Sequence, residues 1–162
     1  MHQISATTTI DAPTAVVWAV LTDSGSYGTW NPFITELTGE IAQGRRLQIR
    51  IAPPGGRAMT FRPVVTAVDP GRRLAWLGRA GLPGLFDGAH SFTLAPLADG
   101  GTRFSQSEVF RGLLVPLMRG TLRRTEVGFT AMNAALRDRA ETAARLEPRA
   151  SGSAADVADP RH

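Results

Sequence analysis

The chain predicts an α+β fold: a curved antiparallel sheet of about seven strands, two short helices near the start, and one long C-terminal helix laid across the sheet. Three observations predict it. Residues 113–146 carry Met118, Leu122, Thr125, Phe129, Met132, Leu136 and Ala140 at steps of three and four, which stacks them on one helical face. Residues 34–111 show strand-like runs separated by Gly-, Pro- and Asp-rich turns, the spacing of a meander. Helical signals fall early and late, with none between the strands, which excludes alternating βαβ units. A long helix cannot touch a curved sheet everywhere, so the arrangement also predicts an enclosed cavity between the two.

In chain order, residues 3–11 alternate Ile4, Ala6, Thr8 and Ile10 with Ser5, Thr7 and Thr9, the pattern of a half-buried first strand. Asp11-Ala12-Pro13 offers a helix start with Asp11 as N-cap, and Val16, Val17, Val20 and Leu21 supply the apolar face of a short helix. A second short helical segment fits the turn-forming stretch from Thr22 to Gly28. Trp30-Asn31-Pro32-Phe33 then leads back to the sheet. Strands are expected at 34–41, 46–51, 58–68, 74–78, 90–97 and 102–111. The turns between them are Gln43-Gly44, Pro53-Pro54-Gly55-Gly56, Asp69-Pro70-Gly71, Gly81-Leu82-Pro83-Gly84 and Asp99-Gly100-Gly101. One domain is expected over residues 1–147. Residues 148–162 hold almost no large apolar side chain and predict a disordered tail.

Composition narrows the function. At 162 residues, 43% apolar and 20% charged, the chain can bury a substantial core. The net charge of +4 comes from eighteen basic residues, all arginine, which points to a GC-rich coding bias such as that of actinobacteria. The arginines are scattered, with no aromatic-interleaved stripe, so no nucleic-acid partner is expected. No apolar run reaches the roughly eighteen residues of a membrane span. The start lacks a secretory pattern, and the cytoplasm is the expected compartment. The absence of cysteine excludes disulfides and thiolate chemistry. The three histidines, His2, His90 and His162, are too far apart in the chain to suggest a metal site, and no phosphate loop or Gly-x-Ser-x-Gly elbow occurs. Neither metal nor cofactor is expected.

Several segments then carry a resemblance. These are Ile10-Asp11-Ala12-Pro13 through Val17-Trp18, Tyr27-Gly28-Thr29-Trp30-Asn31-Pro32-Phe33, and Asp69-Pro70-Gly71-Arg72-Arg73-Leu74-Ala75-Trp76. Phe86-Asp87-Gly88-Ala89-His90-Ser91-Phe92 and Gly101-Thr102-Arg103-Phe104 with Glu108 complete the set. In this order, over residues 3–146, they resemble the SRPBCC superfamily of START-like, birch-allergen-like and polyketide cyclase/dehydrase-like proteins. The resemblance implies a helix-grip fold with an internal ligand cavity. Activity stays open, because members include carriers, cyclases, hydrolases and protein-interaction modules.

The last hairpin predicts the site. A three-residue loop Ala98-Asp99-Gly100 pairs Leu97 with Gly101, so His90 falls opposite Glu108 and Phe92 opposite Gln106. Phe92, Leu94, Phe104 and Phe110 share that face by the period of two, leaving His90 and Glu108 as a polar pair among rings. One reading is an acid/base or anchoring dyad, since a carboxyl in apolar surroundings holds its proton and a neighbouring imidazole favours the ion. The other is a satisfied pair that fixes strand register.

Further candidates for the ligand cavity are Tyr27, Trp30, Asn31, Trp76, Phe86, Phe92, Phe104, Gln106, Phe110, Met118, Leu122, Phe129 and Met132. Asn31 serves equally as a turn residue before Pro32. Residues 79–87 form either a mobile lid or a loop packed on Leu113-Leu114-Val115, and Arg62 and Arg111 suit an acidic head group if they point inward. The expected occupant is a small hydrophobic or aromatic molecule bound by a carrier. The alternatives are a polyketide cyclase/dehydratase using the same cavity, and a chaperone- or ribosome-associated interaction module.

Overall fold

A computed structural model describes residues 1–146. The expected tail at 148–162 and the last residue of the expected domain, Glu147, lie outside the described residues. The order of elements is β1 (His2–Ile10), α1 (Thr14–Thr22), a 3₁₀ turn, α2 (Tyr27–Trp30), β2 (Ile34–Thr38), β3 (Gln48–Ile51), β4 (Met59–Phe61), β5 (Val64–Asp69), β6 (Arg73–Arg79), β7 (Asp87–Pro96), β8 (Thr102–Arg111), a second 3₁₀ turn and α3 (Arg119–Leu146). Two antiparallel sheets result, one ordered β1-β8-β7-β6-β5 and the other β2-β3-β4.

Eight strands replace the expected seven because residues 58–68 are not one strand. Pro63 carries no N–H for a ladder, and the chain changes partner there. Before it, Phe61 pairs with Ile49; after it, Val65 pairs with Trp76. The Pro63 carbonyl instead accepts from the Leu47 amide at 2.9 Å, and a bridge between Arg46 and Val64 joins the sheets along this seam.

Two helix starts also differ from expectation. Asp11 does not cap α1; Pro13 occupies that position, and the Asp11 amide donates to Glu141 Oε1 at 3.0 Å, tying α3 to the β1–α1 junction. The terminal helix begins at Arg119, because Pro116 sits in a 3₁₀ turn spanning Val115–Met118.

The β7–β8 hairpin follows the expected register through His90–Glu108, Phe92–Gln106 and Leu94–Phe104. Gly100 supplies the positive φ that the tight loop needs. Alternation then buries Phe92, Leu94, Phe104 and Phe110 on one face.

α3 buries Leu122, Gly128, Phe129, Met132, Asn133, Leu136 and Ala140. It approaches closely at Gly128, where an added Cβ would strike the ring of Phe33. Phe33 is itself buried and meets Phe129 edge-on at 5.6 Å between centroids. A helical glycine normally costs about 1 kcal/mol against alanine, yet this one is required because overpacking a fixed ring costs about 1–3 kcal/mol.

Gly128→Ala should therefore lower stability by about 1–2 kcal/mol in urea denaturation. Gly120→Ala, with nothing near its Cβ, should leave stability unchanged or raise it by up to about 1 kcal/mol. Equal effects at the two positions would contradict the packing described.

Candidate functional site

Between the first turns of α3 and the two sheets lies a cavity of about 190 Å³. One wall comes from the smaller sheet: Ile34, Ile49, Ile51, Met59 and Phe61. The other comes from β6, β7 and β8, through Trp76, His90, Glu108 and Phe110. The roof is Met118, at the end of the 3₁₀ turn, with Thr121, Leu122 and Thr125 on the first turns of α3.

Facing glycines help to open the space. Gly78 and Gly88 pair across β6 and β7, both line the cavity, and neither brings a side chain into it. Gly88 has a second role. A Cβ there would strike Glu108 Oε1, so its absence lets the carboxylate lie along the strand.

The polar feature of the wall is the His90–Glu108 pair. Its side chains are 4% and 17% exposed, and Nδ1 stands 3.5 Å from Glu108 Oε2. The imidazole is held by rings on several sides: stacked on Trp76 at 5.1 Å, against Phe92 at 4.4 Å, and edge-on to Phe129 at 5.0 Å. Its Nε2 is buried without a hydrogen-bond partner among the described residues. Imidazole and carboxylate thus share one apolar environment, at the outer edge of hydrogen-bonding distance.

Seven of the expected residues meet here: Trp76, Phe86, His90, Glu108, Phe110, Met118 and Leu122. The others do not line the cavity, each for a local reason. Tyr27 is fully buried, and its hydroxyl donates to the Leu21 carbonyl at 2.7 Å. Burial, reinforced by the Asp23 carboxylate, pushes its phenol above the ordinary range. Trp30 leans on Tyr27 and donates from Nε1 to Ser26 Oγ at 3.3 Å. Asn31 Oδ1 accepts from the amides of Phe33 and Ile34 at 3.0 and 2.8 Å, which is the turn role. Gln106 crosses to α3, its Nε2 donating to the Phe129 carbonyl at 3.0 Å and to Asn133 Oδ1 at 2.6 Å. Phe92, Phe104, Phe129 and Met132 are core, filling the space where α3 meets the sheet.

Arg62 and Arg111 are exposed and absent from the lining, where Arg79 stands instead, 3.7 Å from Asp87. Residues 79–87 form the packed alternative: the Leu113 and Leu114 amides donate to the carbonyls of Gly84 and Leu85 at 3.1 and 3.0 Å. A Cβ at Gly112 would strike the Leu85 carbonyl, which makes the close approach possible only with glycine. Sequence reasoning missed the wall formed by β2, β3 and β4. Its signal was present in the alternation of Ile49 and Ile51 and in glycines 78 and 88 lying inside strands.

Residues 1–145 match the family described as polyketide cyclase / dehydrase and lipid transport. No curated protein sequence matches the chain. Among solved structures, the Zhui aromatase/cyclase from a Streptomyces species is similar at 21% identity and a TM-score of 0.74, over 91% of this chain and 98% of that one. A START superfamily protein from Mycobacterium smegmatis is similar at 22% identity and a TM-score of 0.66, over 88% and 99%. These likenesses place the fold among START-like helix-grip proteins. No helix among the described residues is long and apolar enough to cross a membrane.

Asn31→Ala should cost about 2–3 kcal/mol, because it strands two buried amides, while probe binding per folded molecule stays unchanged. A loss of binding without a loss of stability would return Asn31 to the site. Tyr27 gives a second check, since it is the chain's one tyrosine. Its folded pKa is raised, so stability is complete below pH ~10 and falls as pH rises past it. Phenolate absorbance should therefore appear together with unfolding; a tyrosinate in the folded protein near pH ~10 would contradict the burial.

Proposed function

Because the chain belongs to the polyketide cyclase / dehydrase and lipid transport family, we propose that it binds one small hydrophobic or aromatic molecule in the cavity under α3. The ligand-holding unit is residues 1–147. The observation that carries this reading is an apolar chamber of about 190 Å³, bounded by isoleucines, Phe61, Trp76, Phe110 and Leu122. Such a void gains little from water, which needs two to four polar partners, and an apolar cavity of about 150 Å³ is known to stay dry and accept benzene. The available volume therefore suits a ligand of one or two rings. Trp76, Phe86 and Phe110 offer faces for stacking, and Arg79 stands at the rim.

The His90–Glu108 pair favours a second reading, in which the same cavity cyclises or dehydrates a polyketide-like chain. The Streptomyces relative is an aromatase/cyclase. Glu108 and His90 stand 3.5 Å apart, a gap that tightening around a bound substrate would close to proton-transfer distance, and the surrounding rings pack against the imidazole. Confinement in a small chamber would bring the reacting carbons of a flexible chain together.

Titration with a naphthalene-sized fluorescent probe, read by energy transfer from the three tryptophans, of which Trp76 lines the cavity, should give saturable binding of one molecule per chain. Leu122→Trp, which fills the roof, should weaken it at least tenfold with the fold retained by circular dichroism (about 1.4 kcal/mol or more). Absence of saturable binding up to the probe's solubility would end the carrier reading. For the enzyme reading, Glu108→Gln should abolish turnover of a poly-β-keto test substrate while probe affinity changes little. Unchanged turnover in that variant would remove the dyad.

A further inference from the structure

The rim of the cavity carries large apolar side chains that the fold does not bury. Leu82, Leu113 and Leu117 are 72%, 79% and 81% exposed, and Leu114 and Met59 are exposed where they also line the cavity. Leu82 stands at the tip of a turn between Gly81 and Gly84, both at positive φ. Leu113, Leu114 and Leu117 stand on the neighbouring turn ahead of α3, in which the Leu117 amide donates to the Leu114 carbonyl at 3.0 Å. The two turns are fastened together by the amides of Leu113 and Leu114 on the carbonyls of Gly84 and Leu85. Three exposed leucines thus stand on two turns that are hydrogen-bonded to each other beside the cavity.

The exposed charge around them is mostly positive. Arg79, Arg111 and Arg119 are exposed at the ends of β6 and β8 and at the start of α3. The acid beside them is Asp87, which lies next to Arg79 and opposite Arg111 in the strand register. Glu108 faces the cavity.

We propose that this rim is a docking surface for a bilayer containing anionic lipid, with Leu82, Leu113 and Leu117 entering the acyl region and the arginines resting among the headgroups. Leucines on separate turn tips suit a fluid apolar phase that closes around each of them. A protein interface has a different make-up, centred on aromatic anchors, and the one aromatic residue of these two turns, Phe86, lines the cavity. Basic residues near the leaflet add attraction that salt weakens. The placement has a consequence for traffic: an apolar molecule moving between cavity and bilayer passes Leu114 and Met59 and does not cross open water.

The test is co-sedimentation of the full chain with vesicles of phosphatidylcholine alone or with about one quarter phosphatidylglycerol. The wild type should sediment with the anionic vesicles at low salt and lose about tenfold or more of that partitioning at ~0.5 M salt. Leu82→Asp/Leu117→Asp should lose at least tenfold at low salt with an unchanged melting temperature. Arg111→Glu/Arg119→Glu should bring binding to anionic vesicles down to the phosphatidylcholine level. A wild type that stays in the supernatant, or variants that sediment as the wild type does, would overturn the proposal. So would a concentration-dependent dimer in sedimentation velocity that Leu117→Asp dissolves, because a second copy would then be the occupant. No cavity ligand enters the measurement, so its outcome is independent of the function proposed above.

Discussion

The approach of α3 to the rest of the molecule depends on one contact, the ring of Phe33 against the bare backbone of Gly128. Where that contact is made, helix and sheet close on each other. From Gly128 onward the helix is buried at Phe129, Met132, Leu136 and Ala140, and Gln106 bonds it to β8. Ahead of Gly128 the same helical face, from Met118 to Thr125, has no sheet side chains filling the space beneath it. Over a fixed length of helix, tight seating at one end and a curved surface below leave a gap at the other. The cavity is the geometric remainder of a well-packed core.

Much of the architecture was legible because its signals are local and periodic. The three-four spacing of α3, the period of two in β7 and β8, and the loop at Gly100 determine which residues face inward, and so put His90 opposite Glu108. What was not legible depends on which of several partners a side chain takes. The polar atoms of Tyr27, Trp30 and Asn31 are used by near neighbours, Leu21, Ser26 and the amides of Phe33 and Ile34, and only the turn role of Asn31 was among the readings the sequence offered. Phe92 and Phe129 read as cavity aromatics because an inward direction is shared by wall and core alike. Only the height of α3 at each residue separates them. Pro63 was visible, but its effect required knowing that β3 and β6 compete for the strands on either side of it.

The two proton-bearing groups owe their position to residues that bear none. Glu108 lies along β7 because Gly88 has no side chain, and the imidazole cannot rotate freely among Trp76, Phe92 and Phe129. A wall this apolar strengthens any electrostatic interaction made within it. Specificity and orientation would then come from very few polar contacts, with shape doing the remaining selection.

The seam at Pro63 gives the chamber an unusual kind of adjustability. Its two walls belong to different sheets, joined along one seam by the Arg46–Val64 bridge and by backbone hydrogen bonds linking residues 44–47 with Pro63 and Val65. A one-residue slip at this crossing would turn Ile49 and Ile51 outward, so the isoleucine wall can move past the tryptophan wall only in steps of two residues, about 6.6 Å. Descendants of this chain could therefore acquire roomier or narrower interiors only through paired insertions or deletions there.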